Sequence, residues 1–246
     1  MGELIAVVSG KGGTGKTSVT AGISTALAHA GKRVLCIDCD AGLRNLDISL
    51  GLADSCPLSF VDVMDGNYPL SSAAVHPKFR ALRFLTAPVN RQAQDIDIAR
   101  FGAFLASARQ QFDYIFLDAP AGVDAGFCLA ATYADRCIVV TGPDPASLRD
   151  AAATGQKLEL MGKRHVRLVV NRVQPKLFRA MGTTVDDLMD GAGLPLLGIV
   201  PEDIHMILAA AENTPLLAYK PRSAAAKACL RIARRIQGLP EPIPFR

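Results

Sequence analysis

The sequence predicts an α/β fold in a single domain, with a mostly parallel twisted sheet and helices on both faces. Seven short, β-rich apolar runs alternate with helix-length segments along the chain. Near-continuous apolar runs are typical of parallel strands that are buried on both faces. No linker or repeat interrupts this alternation, so we predict one domain over residues 1–246, with 240–246 as a short C-terminal tail.

The individual elements are predicted in chain order from these runs. Segments such as "LIAVVS", "RVLCID" and "YIFLDA" consist mainly of Val, Ile, Leu and aromatic residues, which favour strands. The segments between them place apolar residues at helical spacing. The predicted strands are 4–9, 33–38, 82–87, 114–119, 137–142, 166–171 and 196–200, and the clearest helices are 16–30, 98–111, 146–161 and 223–237.

The composition is that of an ordinary globular protein, with 50% hydrophobic and 20% charged residues. The net charge of +4 is too small a surplus to predict a nucleic-acid partner. The sequence has no signal peptide and no apolar run near the roughly 18 residues of a membrane span. We therefore expect a cytoplasmic protein whose partner is not nucleic acid, with a local basic patch as the open alternative.

The six cysteines follow no metal or disulfide spacing except in "CIDC". Positions three apart on a strand point to opposite faces, so Cys36 and Cys39 could not grip one metal ion. We interpret the cysteines as small buried hydrophobic residues. They are Cys36, Cys39, Cys56, Cys128, Cys137 and Cys229.

The stretch "GKGGTGKT" fits the pattern G-x-x-x-x-G-K-[ST] between a predicted strand and a predicted helix. Its glycines let backbone N–H groups wrap phosphates at a helix N-terminus, which predicts a P-loop NTPase fold. Lys16 would reach the β- and γ-phosphates of ATP or ADP, and the Thr17 hydroxyl would bind Mg²⁺. The predicted phosphate-binding residues are Gly10, Lys11, Gly12, Gly13, Thr14, Gly15, Lys16, Thr17 and Ser18.

Three carboxylates at predicted strand ends complete this chemistry. Asp118 ends "YIFLD", where a second residue near the metal is required, although an Asp here could also cap the next helix. Asp38 and Asp40 end the second strand, and alternation would put both on one side of it. One would hold the metal's water shell and the other would orient the attacking water. Parallel strands bring their carboxyl ends to one edge, so these residues should meet there with Gly10, Asn171 and Pro201.

Lys11 is a second lysine in the same loop and stands too early to do the work of Lys16. Burying two unpaired ammonium groups side by side would be costly. Lys11 makes sense if it reaches the phosphates of a second subunit in trans, as an arginine finger does. The alternative is a solvated loop lysine.

The pattern K-G-G-x-G-K-[ST] is similar to the deviant Walker A motif of the MinD/ParA superfamily of dimerising ATPases, and the chain resembles that superfamily from end to end. "DCDAGLRNLD", "LDAPAGVDAGF", "VVNRVQP" and "GIVPED" match further family segments. "GLRNLD" favours the MinD branch, the septum site-determining ATPases, because ParA-type relatives usually lack these residues.

The resemblance implies a monomer with ADP and a homodimer with ATP, in which Lys11 crosses the interface. It also implies that Asp40 positions the water with support from Asp38, and that Asn45 and Gly122 lie in the switch regions. Adenine would lie against Asn171 and Arg172 and the backbone of Pro201, Glu202 and Asp203. Asn at a strand end is also a good turn residue, which is the other interpretation of Asn171.

The implied activity is a weak ATPase that converts ATP and water to ADP and phosphate and is stimulated by a partner. The implied partners are a division-inhibitor protein and an ATPase activator, with peripheral attachment to the inner face of the cell membrane. Family members typically insert a short C-terminal amphipathic helix into the membrane. The sequence ends at "EPIPFR", about where that helix would begin. We therefore expect the helix to be absent from this sequence.

Segment 223–237 has a basic and an apolar face, and a basic amphipathic helix can lie on anionic lipid. We favour the alternative in which its apolar face packs on the sheet. The basic residues are Lys227, Arg231, Arg234 and Arg235, and the apolar ones are Cys229, Ile232, Ala233 and Ile236.

Three other function classes remain open at this point. A positioning ATPase that acts on DNA or a polar assembly would need a basic patch formed by the dimer. An iron–sulfur carrier would need a cysteine pair shared across a dimer, and no cysteine follows closely after Asp118. A small-molecule kinase is weaker still, because no lid insertion is visible.

Overall fold

The computed structural model describes residues 1–55 and 57–243. Our interpretation of Cys56, and the part of the predicted tail at 244–246, lie outside the described residues. Within them the chain forms one eight-stranded sheet with helices on both faces, as predicted. No helix in this described part is both long and apolar enough to cross a membrane.

The sheet order is β3-β4-β2-β5-β1-β6-β7-β8, and every neighbouring pair is parallel except β3 with β4. The seven predicted strands are all present within one or two residues. Only β3, a two-residue antiparallel strand, was not predicted. The strands are β1 Glu3–Val8, β2 Val34–Asp38, β3 Ala74–Val75, β4 Leu82–Leu85, β5 Tyr114–Asp118, β6 Arg136–Thr141, β7 Val166–Val173 and β8 Leu196–Pro201.

Side chains at the helix starts fix where several helices begin. Asp97, Asp144 and Ser223 each accept a backbone hydrogen bond from the first turn of the helix that follows, as capping residues do. The helices are α1 Lys16–His29, α2 Leu46–Leu50, α3 Phe60–Met64, α4 Ile98–Ala108, α5 Ala125–Thr132, α6 Pro145–Leu160, α7 Pro175–Ala180, α8 Val185–Ala192, α9 Ile204–Ala211, α10 Leu216–Tyr219 and α11 Ala224–Ile236.

Two apolar layers cover the sheet. One contains buried residues of α3, α4, α5, α6 and α8, including Phe101 and Leu158. The other contains residues of α1, α2, α9, α10 and α11, including Ile23 and Ile232. Because both faces of the strands are covered, their continuous apolar runs are fully explained by burial.

The cysteines and the last helix follow the same pattern. Cys36 lies in one apolar layer and Cys39 in the other, which confirms that they point to opposite faces. Burial raises the pKa of the Cys36 and Cys229 thiols to about 12. Cys137 is also buried, whereas Cys128 is half-buried. The apolar face of α11 is buried against the sheet layer, so the packing interpretation of segment 223–237 is confirmed.

The strand register brings the predicted site residues to one edge. Asp38 of β2 lies opposite Asp118 of β5, and Val7 of β1 pairs with Asp118 on the other side. Pro201 is the last residue of β8, while Asn171 lies two residues before the end of β7. The sheet therefore collects these residues where open α/β sheets bind ligands.

Candidate nucleotide-binding site

The loop between β1 and α1 owes its shape to glycine. Gly13 and Gly15 have φ angles of 81° and 83°, a left-handed conformation that disfavours other residues. Gly15 is also the N-cap of α1. Because glycine has no side-chain acceptor, it leaves the first N–H groups of α1 available to an anion.

Two loop glycines are required by close packing. A Cβ at Gly10 would lie 2.5 Å from Thr154 Oγ1 and 2.7 Å from the carbonyl oxygen of Asp150 in α6. A Cβ at Gly15 would overlap Nδ2 of Asn171 in β7. The phosphate loop therefore packs closely against α6 and β7.

Asp118 is the centre of a buried polar cluster. Its Oδ1 lies 3.0 Å from Lys16 Nζ, and both side chains are less than a tenth exposed. Thr17 Oγ1 donates to Asp118 Oδ2 at 2.8 Å, and Thr20 Oγ1 donates to Oδ1 at 2.8 Å. The helix-cap interpretation of Asp118 is wrong, because the N-cap of the next helix, α5, is Asp124.

The donor set of this cluster fits a magnesium ion. Mg²⁺ prefers oxygen ligands and is usually held by one or two protein groups together with phosphate and water. The Thr17 hydroxyl and the Asp118 carboxylate are adjacent oxygens beside the phosphate loop. Their roles as metal ligands remain predictions that this geometry favours.

Asp38 holds both ends of the loop that follows β2. Its Oδ1 accepts from the Asp40 N–H at 2.9 Å, and its Oδ2 accepts from the Leu46 N–H at 3.2 Å. Burial, and next the neighbouring Asp118 carboxylate, raise the pKa of Asp38 to about 7, although these hydrogen bonds and Lys16 oppose the rise. Asp38 therefore contacts the loop after β2 directly and interacts electrostatically with the cluster around Asp118.

Asp40 lies just beyond β2, which ends at Asp38, so strand alternation does not decide its side. Its Oδ1 instead accepts from the N–H groups of Gly42 and Leu43 at 3.0 and 3.1 Å. The carboxylate shapes its own loop and is only half-buried. Its role in positioning water stays a prediction.

Of the three residues predicted at a dimer interface, Lys11 belongs to the phosphate loop and Gly122 contacts it. Lys11 is exposed and forms no ion pair within the part of the chain that the structure describes. Asn45 is also exposed. Gly122, with φ 91°, donates its N–H to the carbonyl oxygen of Ser9 at 3.0 Å, which ties the segment after β5 to the phosphate loop.

Asn171 is buried against the loop. Its Nδ2 donates to the Thr14 carbonyl oxygen at 2.8 Å. The Asn171 Oδ1 and Thr14 Oγ1 atoms are buried and have no hydrogen-bond partner among the described residues. Buried polar atoms are normally paired, so Asn171 Oδ1 is suited to accept from a ligand amine such as that of adenine.

The other residues predicted beside the base lie where β7 and β8 end. Arg172 is exposed and has φ 59°, a strained conformation for a non-glycine residue, at an irregularity in the β7–β8 pairing. The Glu202 N–H donates to the Val173 carbonyl oxygen, and the Glu202 side chain pairs with Gln174. Contact of these residues with adenine stays a prediction.

The Asp203 carboxylate already has structural partners. Its Oδ1 accepts from the N–H of His205 in α9, and its Oδ2 accepts from the N–H of Ala225 in α11 at 3.0 Å. Burial opposes its ionisation, but these hydrogen bonds, together with those from the side chains of His205 and Ser223, lower the pKa of Asp203 to about 2. The side chain of Asp203 therefore serves α9 and α11, and contact of Asp203 with adenine stays a prediction.

The profile of a protein family described as "CobQ/CobB/MinD/ParA nucleotide binding domain" matches residues 5–216. The chain belongs to this family. The expectation from the loop and switch motifs is thereby confirmed. The match covers most of the chain and not only its phosphate loop.

Relatives in the MinD branch match the chain over nearly all of its length. The septum site-determining protein MinD of Synechocystis sp. is 37% identical over 247 residues, covering 100% of this chain and 92% of that protein. A structure of the Aquifex aeolicus MinC:MinD cell division protein complex superimposes with a TM-score of 0.89, at 34% identity and 98% coverage of both chains.

A second solved structure extends the likeness to a nucleotide-bound protein. The septum site-determining protein MinD of Pyrococcus horikoshii, complexed with Mg-ADP, has a TM-score of 0.83 to this chain. The two are 30% identical, and 96% of each chain is covered.

Two contacts of this MinD/ParA-family site were missed by sequence reasoning. Thr20 holds Asp118, and a signal existed, because Thr20 lies one turn after Lys16 on the same side of α1. The bond from Asn171 to Thr14 joins residues 157 positions apart and left no signal in the sequence.

Proposed function

We propose that this chain is an ATP-dependent switch of the MinD type. It dimerises with ATP, recruits a division-inhibitor protein in that state, and releases it after hydrolysis of ATP to ADP and phosphate. The observation that carries the proposal is the pair of lysines in one loop. Lys16 is buried against Asp118, whereas Lys11, in the same loop, is exposed.

Each residue has a role in this proposal. Lys16 and the loop N–H groups hold the β- and γ-phosphates, while Thr17 and Asp118 hold Mg²⁺, which supplies neutralisation of the phosphate charge. Asp40 orients the attacking water, with its loop fixed by Asp38. Asn171 supports the loop and accepts from the base.

The proposed slow rate of ATP hydrolysis follows from the different positions of Lys11 and Lys16. A monomer lacks the second cation at its phosphates, so hydrolysis by the chain alone is slow. The trans contribution of Lys11 makes hydrolysis depend on the dimer, and an activator protein acts by stabilising that dimer. Positioned cations supplied in trans are worth about 10³-fold or more in phosphoryl transfer.

The place of action is part of the proposal. We place the protein in the cytoplasm, with its ATP dimer at the inner face of the cell membrane. The apolar face of α11 is buried and is not available for insertion, so another surface must contact the lipid. Co-sedimentation with anionic liposomes should then depend on ATP, and equal pelleting with ADP would contradict this part.

The dimer is tested by light scattering after size exclusion, with ATP, with ADP and without nucleotide. ATP should double the mass of the wild-type chain and of the Asp40→Ala variant, and the variant's dimer should persist longer because it hydrolyses ATP more slowly. ADP should leave both monomeric. A monomer under every condition, with nucleotide shown to be bound, would overturn the switch.

A further inference from the structure

His76 is a buried histidine that is not among the predicted site residues. It directly follows β3 and is 1% exposed. Both ring nitrogens have partners. Nε2 lies 2.9 Å from the carbonyl oxygen of Leu50, and Nδ1 lies 3.1 and 3.0 Å from the backbone nitrogens of Lys78 and Phe79. The ring therefore bonds to α2 on one side and to the turn between β3 and β4 on the other.

These partners fix the protonation state of the ring. A carbonyl oxygen can only accept, so Nε2 must carry the hydrogen. Two backbone N–H groups can only donate, so Nδ1 must present its lone pair. The neutral ring with its hydrogen on Nε2 satisfies all three bonds. An imidazolium ion has a hydrogen on both nitrogens and would turn an N–H towards two N–H donors.

The bond to Leu50 satisfies the end of a short helix. Leu50 is the last residue of α2, and the last carbonyl groups of a helix have no partner within it. α2 has only five residues and begins directly after Asn45. A helix this short depends on tertiary contacts for its stability. The His76 side chain is thus one of the contacts that hold α2 at the far end of the predicted switch segment.

The turn after β3 depends on the same ring. Nδ1 accepts from the N–H groups two and three residues further along the chain, as the side-chain oxygen of a capping residue does. The His76 N–H also donates to the carbonyl oxygen of Leu82 in β4 at 3.0 Å. Loss of the Nδ1 acceptor would leave two backbone N–H groups of the turn unpaired, which is costly.

The surroundings of the ring do not favour a positive charge. The ring packs against Phe79, with centroids 5.1 Å apart. None of the ion pairs among the described residues includes His76. Burial lowers the pKa of His76 below its ordinary 6.5, while the bond to Leu50 opposes this shift and the charge of Lys78 adds to it.

The other titratable groups on the surrounding elements have partners or are exposed. Asp47 of α2 accepts from the N–H of the next residue, and Arg83 of β4 donates to two backbone carbonyl groups. His29 of α1 packs against the same Phe79 side chain, with centroids 6.3 Å apart. His29 is therefore a second group here that can gain charge in acid, and its variant is the control below. The exposed groups of the turn are Lys78 and Arg80.

We propose that His76 is an acid-sensitive link between α2 and the turn after β3. The neutral ring makes all three bonds. A proton added to Nδ1 removes the two bonds to the turn, and the charged ring leaves its buried position, so Leu50 loses its donor as well. The end of α2 and the turn then open together. This link depends neither on nucleotide nor on a second subunit.

The direction of the pH effect follows from proton binding. The open state binds a proton with the ordinary histidine pKa of 6.5, whereas burial holds the pKa of the closed state lower. The closed state therefore has its full stability above pH 6.5 and loses stability as the pH falls below that value. Between about pH 7.5 and about pH 5.5 the open population should rise by up to about tenfold.

Hydrogen exchange of the full, nucleotide-free chain tests the link. Rates at about pH 7.5 and about pH 5.5, each divided by the intrinsic rate at that pH, give the protection of segments 46–52 and 76–82. Protection of both should fall roughly threefold to tenfold in acid, while that of β5 should change by less than about twofold.

Two matched variants assign the effect to one ring. His76→Gln, whose amide is not protonated in this range, should lose the pH dependence of both segments, whereas His29→Gln should keep it. An equal fall of protection in His76→Gln and in wild type would overturn the proposal. So would a fall in β5 as large as the fall in α2.

Nitrogen-15 NMR of the histidine side chains in the wild-type chain tests the link without any variant. His76 should be neutral with its hydrogen on Nε2 at about pH 7.5, and it should titrate at a lower pH than the exposed His165. A hydrogen on Nδ1, or a titration midpoint at or above that of His165, would also overturn the proposal.

Discussion

At the scale of single residues, the carboxylate of Asp118 organises the site. Three side chains of α1, Lys16, Thr17 and Thr20, contact it within 3.0 Å. They lie on one side of the helix, so one carboxylate fixes the rotation of α1 against β5. Removing one partner of such a buried ion pair is costly, because the remaining charge stays buried without its counter-charge.

Gly13 and Gly15 have nearly equal φ angles. Substituting each by alanine therefore separates the cost of backbone strain from the cost of close packing. Gly13→Ala and Gly15→Ala should each lose about 1–2 kcal/mol of unfolding free energy from the left-handed backbone. Gly15→Ala should lose a further 1–3 kcal/mol or so, because its methyl group displaces Asn171, whereas Gly13 has open space. Urea denaturation of the nucleotide-free chain measures both. Equal losses would mean that Asn171 does not press on the loop.

Residue types with a fixed chemical task were predictable from the sequence. The phosphate loop, Asp38 and Asp118 stand where motif and strand ends put them. The contact between Thr14 and Asn171 could not be predicted from the sequence, because it depends on how β7 meets the phosphate loop in three dimensions. The turn of the Asp40 carboxylate onto its own loop likewise follows from backbone geometry that periodicity does not contain.

At the scale of elements, Asp203 joins two helices from distant parts of the chain. It is the N-cap of α9 and also accepts from Ala225 in the first turn of α11. Because one cap is worth about 1 kcal/mol and the Ala225 N–H would also lose its acceptor, Asp203→Ala should lose about 2 kcal/mol of unfolding free energy. Asp97→Ala, which removes the cap of α4 alone, should lose about half as much. Urea denaturation at pH 7 compares them, and equal losses would mean that the bond from Asp203 to α11 adds no stability.

The Asp203 caps should also depend on pH in a defined direction. The folded pKa is lowered to about 2 from an ordinary 3.8, so the stabilisation is fully present above pH 3.8 and is lost as the pH falls towards 2. The difference in unfolding free energy between wild type and Asp203→Ala should therefore shrink over that interval. A difference that stays constant from pH 5 to pH 2 would show that the carboxylate charge is not responsible.

Long elements were predictable, and short ones were not. Every buried parallel strand has an apolar run, since both of its faces are covered. β3 has two residues and α2 and α3 have five each, which is too short for any period to emerge. Helix 98–111 ends earlier, at Ala108, because the chain after it turns through i to i+3 hydrogen bonds.

At the scale of the whole molecule, the sheet gathers the buried groups of the predicted nucleotide site at one edge. Asp38, Asp118 and Lys16 are buried within the chain, whereas Lys11 and Asn45 are exposed beside them. An exposed lysine in a phosphate loop is solvated in the monomer and contributes little there. In a two-fold symmetric dimer each subunit would present Lys11 to the other's phosphates, so both half-sites are completed together.

Mixing two inactive variants distinguishes a lysine that acts in trans from one that acts in cis. Lys11→Ala and Asp40→Ala should each have very low ATPase activity alone, with ADP affinity close to wild type. In a mixed dimer the Lys11→Ala subunit keeps its own Asp40 and receives Lys11 from its partner, so one site is intact. An equimolar mixture should regain about a quarter of wild-type activity, because half of its dimers are mixed. Phosphate release measures this, and a mixture no more active than its components would show that Lys11 serves its own subunit.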